Sequence, residues 1–322
     1  MHRGPLTDDR PAATEPFPAG TVRPGPTGPG RTLPPPGRHG GDGPAVAAAL
    51  GMDPADLLDL SQNLNPFAPD PGPVVARHLD TVGLYPDPGP ATAALAERLG
   101  VDRSRLLITN GGSGAIALVA AELGGRPWAE PDFGLYPREA GGPRWRSDPH
   151  SPSGALAPPG LEAQVWDEAF YPLATGAWTA GRSGVTIGSL TKTFACPGLR
   201  LGYLIADDAA RFARRQPPWS VGALALAALV DLIAAADLPA WSAAVAEARA
   251  DLVAVLTARD LAVTAADAPW VLVAAPGLRA RLAPHGVLIR DCTSFGRPDL
   301  ARIAVPGPEG LRRLTSALDR SR

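Results

Sequence analysis

Between residues 38 and 320 short apolar runs alternate with amphipathic stretches, and turn residues part them. Residues 106–109 form a brief apolar run, residues 110–114 (Asn-Gly-Gly-Ser-Gly) a turn, and residues 115–123 a helical pattern. Strand-like runs recur at 126–129, at 164–167 (ending in acid) and at 201–206. Helical patterns precede them at 44–51 and at 91–99, where Ala94, Leu95 and Leu99 share a face. Beyond Tyr203 the pattern turns helical at 221–236 and 241–256, then strand-like at 261–264 and 270–274. A helix at 278–282, strands at 286–290 and 301–305 and a last helix after Pro308 follow. That helix carries Leu311, Leu314 and Leu318 on one side. Strands alternating with helices over 106–206 predict an α/β fold, a mostly parallel sheet with helices on both faces. The large domain is expected over 60–235, and a smaller α/β domain gathers 37–59 with 236–322. Residues 1–36 are dominated by proline and glycine and are expected to form a disordered extension.

Composition narrows the function. At 322 residues and 45% hydrophobic, the chain can bury a large core. Its net charge of −2 has no block of one sign, which argues against nucleic acid and anionic membranes as partners. The most apolar run, 221–230, is ended by Asp231, short of the ~20 residues a spanning helix needs. No apolar leader opens the chain, so a cytoplasmic location is expected. Cys196 and Cys292 lie far apart without metal-ligand spacing, and no metal is expected.

One residue stands apart. Lysine and arginine together number 30, and Lys192 is the only lysine among them. Arginine serves wherever a permanent charge suffices, but only lysine deprotonates to a nucleophilic amine, typically to form a Schiff base with a carbonyl or with pyridoxal phosphate (PLP). Ser189 and Thr191 precede Lys192 and Arg200 follows it. Hydroxyls beside an arginine suit a phosphate dianion. The amides of Gly112 and Ser113, where a strand turns into a helix, suit the same anion.

The segment Ser189-Leu-Thr-Lys-Thr-Phe-Ala-Cys-Pro-Gly-Leu-Arg-Leu-Gly-Tyr203 resembles the lysine segment of fold-type I PLP enzymes. Within them it is similar to histidinol-phosphate aminotransferases and, more closely, to the L-threonine-O-3-phosphate decarboxylases of cobalamin biosynthesis. His39-Gly-Gly-Asp42, Asp59-Leu-Ser-Gln-Asn-Leu-Asn-Pro66 and Gly286-Val-Leu-Ile-Arg-Asp-Cys292 carry the same resemblance. It implies that Lys192 carries PLP, that Ser189, Thr191 and Arg200 hold its phosphate, and that Asp167 faces its ring nitrogen. Phe133 is then the residue stacked on the ring, and Tyr85, in Tyr85-Pro-Asp-Pro88, reaches a partner's cofactor phosphate across a homodimer interface. His39 and Arg290 face the substrate's phosphate, Arg302 its α-carboxylate, and the Ser61/Asn63/Asn65 loop lies at the mouth, with Asn65 as its substrate-binding residue. Two departures stand out: Ser151 replaces an asparagine, and Phe170 a tyrosine, that donate to the ring's O3′ in relatives. The resemblance implies PLP-dependent decarboxylation of L-threonine O-3-phosphate to (R)-1-amino-2-propanol O-2-phosphate. The alternatives are phosphoserine decarboxylation, amino transfer on histidinol phosphate or a related phosphorylated amine, and PLP binding without catalysis.

Overall fold

In the computed structural model, residues 32–37 and 39–321 are described. The expected extension over 1–36 lies outside them except for 32–36, an irregular stretch whose Pro34 carbonyl accepts a hydrogen bond from Arg279 (3.0 Å). Residues 32–322 pack as one compact unit containing two main sheets.

The larger sheet has six strands, in the spatial order Leu106–Asn110, Leu201–Ile205, Val185–Gly188, Val165–Asp167, Arg144–Ser147 and Arg126–Pro127. The last four run parallel to one another, while Leu201–Ile205 is antiparallel to both of its neighbours. Side chains alternate across this sheet, as the two-residue strand period demands. Leu201, Tyr203 and Ile205 pack with the helices Gly89–Leu99 and Ala223–Ala234 on one face. Leu204 and Ala206 pack with the helices Gly111–Leu123 and Ala209–Ala213 on the other. Helices therefore cover both faces of this part of the sheet.

Two of these strands escape the apolar pattern. Arg144–Ser147 reads Arg-Trp-Arg-Ser; Arg146 and Ser147 are buried polar residues, and Ser147 lines the site below. Val185–Gly188 is four residues long and all buried. Nor is there a helix between Pro127 and Tyr171: the parallel strands ending at Ser147 and Asp167 are joined by coil alone. A helix usually makes such a crossover.

The smaller sheet is antiparallel throughout, in the order Arg290–Asp291, Leu300–Ala304, Trp270–Ala274, Val263–Ala265. The helices Leu238–Thr257 and Pro308–Arg320 bury Leu252, Leu256, Leu314 and Leu318 against it. The single strand expected at 286–290 is divided. Val287–Leu288 pairs in parallel with Leu58–Asp59, whereas Arg290–Asp291 turns to pair with Arg302 and Ala301. The buried Ile289 marks the change of partner. No single described helix is long and apolar enough to cross a membrane.

Gly202 shows how closely the elements meet. A Cβ there would collide with the backbone of Gly111 and Gly112, which cannot swing aside as a side chain can. Gly202→Ala is expected to lower stability by about 1–3 kcal/mol or more, read from the midpoint of chemical denaturation. A wild-type midpoint would contradict this packing.

Candidate active site

The carboxyl ends of three strands, Leu106–Asn110, Val165–Asp167 and Val185–Gly188, converge with the start of Leu201–Ile205. Open α/β sheets bind ligands at such strand ends. Each end delivers one chemical element. Leu106–Asn110 turns through Gly111 (φ +69°) into the helix Gly111–Leu123, bringing Gly112 and Ser113 to the cavity wall. Val185–Gly188 turns at Ser189 into the single helical turn Leu190–Thr193 that presents Lys192. Val165–Asp167 ends in the carboxylate.

The cavity they enclose, of about 300 Å³, also collects Ser189, Thr191, Arg200, Phe133, Ser151, His39, Arg290 and Arg302. Its ionic walls are Lys192, three arginines and one carboxylate, Asp167. Such a cavity favours guests carrying more than one negative charge. Lys192 Nζ donates to the Gln62 carbonyl at 2.8 Å. Burial, and then Arg302, Arg200 and Arg290, push the pKa of Lys192 down to about 8, against a smaller opposing effect of Asp59. The amine is thus poised near neutrality by the environment that surrounds it.

At one end of the cavity Arg200, in the left-handed region (φ +54°), donates to Ser113 Oγ at 3.1 Å. A Cβ on Gly111 would strike this guanidinium, so the glycine leaves it room. Ser189 precedes the lysine turn without spending its hydroxyl on a cap, while Thr191 Oγ1 donates to the Leu201 carbonyl at 3.1 Å. Amides at a helix start, a hydroxyl and a guanidinium form a donor set for a phosphate.

At the other end Asp167 Oδ2 accepts from the Tyr136 hydroxyl at 2.9 Å and Oδ1 from the Ala169 amide at 3.0 Å. Burial raises the pKa of Asp167, and those two hydrogen bonds oppose the rise. Nothing in the sequence singles out Tyr136, because an aromatic three positions after Phe133 gives no sign that its hydroxyl meets a carboxylate. Also unforeseen was Asp132, which accepts from Ser147 Oγ; that oxygen in turn accepts from the Ser151 amide at 2.8 Å. Burial pushes the pKa of Asp132 up to about 6.

Arg290 and Arg302 stand directly opposite each other on neighbouring strands, both buried. Arg290 donates to Ser294 Oγ at 3.1 Å, and Arg302 Nη1 lies 3.5 Å from Ser151 Oγ. Arg302 is buried, its pKa falls well below the usual arginine value through desolvation, and its Nε has no hydrogen-bond partner among the described residues. The Phe133 ring lies 5.4 Å from the His39 ring. Phe170, which lacks a hydroxyl, places its ring 6.0 Å from Lys192 Nζ.

Two expected site residues lie elsewhere. Asn65 does not line the cavity. Its Nδ2 donates to the Thr193 carbonyl (3.0 Å), its amide to the Lys192 carbonyl (3.1 Å), and its Oδ1 accepts from Phe67. Its polar atoms are spent on holding the lysine turn. Asn63, two positions earlier, lines the cavity instead. It adopts φ +52°, and both polar atoms of its buried amide lack hydrogen-bond partners among the described residues. Tyr85 is 79% exposed, outside this cavity, with its ring 4.8 Å from that of Trp219. Among the described residues no cluster of acids, histidines and cysteines could hold a metal ion.

An amine of lowered pKa, a buried carboxylate, an aromatic wall and a phosphate-type donor set therefore meet in one cavity, and they fit PLP. Residues 163–318 match the family described as aminotransferase class I and II. The chain is 32% identical to the threonine-phosphate decarboxylase of Salmonella typhimurium, over 87% of this chain and 95% of that protein. It is 29% identical to the histidinol-phosphate aminotransferase of Halorubrum lacusprofundi, over 85% and 91%. The structure of histidinol-phosphate aminotransferase from Sinorhizobium meliloti, in complex with pyridoxal-5′-phosphate, superposes with a TM-score of 0.71 at 16% identity, over 86% of this chain and 94% of that one.

The lowered pKa of Lys192 has a measurable sign. The neutral, nucleophilic amine accumulates as pH rises through about 8, instead of through the ~10.4 of an exposed lysine. Capture of PLP by the apoprotein, trapped with borohydride and read as covalent mass, should reach half its limiting rate near pH 8. A midpoint near that of a free lysine would refute the burial of this amine.

Proposed function

Because this chain belongs to the PLP-dependent class I and II aminotransferase family, we propose that it decarboxylates L-threonine O-3-phosphate to (R)-1-amino-2-propanol O-2-phosphate. The observation that carries this reading is the pairing of Arg290 with Arg302 across two strands, in the cavity that holds Lys192. Two buried cations a strand spacing apart suit one small substrate with two anionic groups. Arg302 takes the α-carboxylate, and Arg290 with His39 takes the phosphate. The cavity is at the small end for a ligand site, which favours a short amino acid over a bulkier one. The similarity to a threonine-phosphate decarboxylase supports the choice.

Gly112, Ser113, Ser189 and Arg200 would hold the cofactor's phosphate, Thr191 bracing the lysine turn through the Leu201 carbonyl, and Phe133 and Ser151 would flank its ring. Bound there, PLP supplies an electron sink for the pair released at the substrate's Cα. Asp167 would hold a proton on the ring nitrogen, and the hydrogen bonds from Tyr136 and the Ala169 amide favour its ionised form against the burial that raises its pKa. With both ends of the substrate fixed, the remaining rotation about N–Cα is set by the protein, and the Cα–carboxylate bond is the one aligned for cleavage. Lys192, whose amine would hold the cofactor in the resting enzyme, would return a proton to Cα after carbon dioxide departs. The working unit is a homodimer: Leu79, Val82, Leu84, Tyr85 and Trp219 are large exposed side chains that a second copy would cover.

A second reading, amino transfer on histidinol phosphate, is favoured by the several relatives that bear that enzyme's name. It uses the same cofactor residues, and product analysis separates the two. With O-phospho-L-threonine the expected products are carbon dioxide and the amino alcohol phosphate, independent of any 2-oxoacid acceptor. Formation of a 2-oxoacid that requires an acceptor, without carbon dioxide, would overturn the proposal. Arg290→Ala should raise KM for the phosphorylated substrate roughly 10–100-fold, the worth of a charge-assisted contact, with little effect on unphosphorylated L-threonine. Asp167→Asn should retain PLP yet lose roughly 100-fold or more in kcat. Wild-type turnover in that variant would remove Asp167 from the chemistry.

A further inference from the structure

The coil joining the strands Arg144–Ser147 and Val165–Asp167 does not pass freely over the sheet. It is fastened to the strand that neighbours Arg302. Trp270 Nε1 donates to the Pro152 carbonyl at 2.8 Å, and the Gly154 carbonyl accepts from the amides of Asp267 (3.1 Å) and Ala268 (3.0 Å). The Leu156 amide closes the junction on Asp267 Oδ2 at 3.0 Å.

Trp270 is the centre of that junction. It begins the strand Trp270–Ala274, which pairs along its whole length with the strand of Arg302, and it is 1% exposed. Its ring lies 4.9 Å from the Arg302 guanidinium, and Phe295 approaches the same guanidinium at 5.7 Å. The edge-on contact of its ring with Phe170, centroids 4.9 Å apart, ties it to the wall beside Lys192. A buried guanidinium held over an aromatic face gains cation–π attraction and loses rotational freedom, and its fork edge stays open for a planar acid.

Resting on the reading of Arg302 as the anchor of a substrate carboxylate, we propose that Trp270 is a positioning residue that presets Arg302 for that carboxylate. Its indole N–H fixes the ring against the coil, and the ring fixes the guanidinium. A substrate arriving at this cavity meets an arginine already oriented, so less freedom is lost on binding.

The test compares ligands with and without a carboxylate on the PLP-loaded enzyme, followed by the change in cofactor absorbance on titration. O-phospho-L-threonine and L-threonine carry the group; O-phosphoethanolamine lacks it. Trp270→Leu should weaken both acids about tenfold and the amine phosphate less than about twofold, the scale of a desolvated cation–π contact. Trp270→Phe restores a ring under the guanidinium and should recover the acids to within about threefold. Should the leucine variant fail to fold, Gly154→Ala serves. A side chain at this φ +82° position is strained and its Cβ crowds Ala268 Cβ at 3.2 Å, disturbing the junction that holds the indole, and the same acid-selective loss is expected. Equal weakening of acids and amine phosphate, or no weakening of the acids, overturns the role of Trp270. Wild type that binds L-threonine but ignores O-phospho-L-threonine would overturn the proposed substrate instead, leaving Trp270 to be judged on L-threonine.

Discussion

The structure depends on keeping four cations together in one cavity whose described lining holds a single carboxylate. Like charges at close quarters raise one another's cost, and burial raises it further. The protein meets that cost with packing. Aromatic rings flank Arg302, Ser294 holds Arg290, Ser113 receives Arg200, and the Gln62 carbonyl receives Lys192. What remains uncompensated is the binding energy available to anions. A phosphate at one end and a small acid at the other relieve the repulsion and complete the donor sets at once. Burial first and that repulsion second lower the pKa of Lys192 to about 8, so affinity for anions and amine reactivity share part of their origin.

That arrangement explains why connecting segments are so heavily bonded. Asn65 spends all its polar atoms around the turn that carries Lys192. Asp148 and Glu168, each one residue beyond a site strand, are both fully buried and share the guanidinium of Arg182, which also covers the face of Trp166. Removing one partner of so buried a group would leave charge without compensation. The site is therefore framed by residues that touch no ligand yet fix the ends of the strands bearing Ser147 and Asp167.

Much of this was legible in the sequence, for different reasons in different places. The strand, glycine turn and helix at 106–123 carry their own local signals, and the structure follows them closely. The lone lysine with its hydroxyls and arginine marked the cofactor end from residue chemistry alone. The strand Arg144–Ser147 was hidden because two arginines and a serine stand where the apolar side chains that reveal strands would be. The split at Ile289 was hidden because both halves are extended and no glycine or proline parts them, and only the partner strands distinguish them. Which asparagine of the loop at the mouth enters the cavity was hidden as well. Both are asparagines in one loop, and the left-handed turn at Asn63 decides which side chain enters the cavity. Tyr136 and Asp132 show the same limit: a hydrogen bond between residues distant in sequence leaves no local pattern.

The solitary lysine has a consequence for anyone handling the protein. Apart from the chain's own amino terminus, every amine-directed reagent has a single address, Lys192. An acylating dye, an aldehyde crosslinker or an immobilising ester will report the state of the cavity instead of decorating the surface. Loss of labelling on adding a ligand then measures occupancy directly, and conventional amine coupling is the one attachment chemistry that would destroy what it is meant to display.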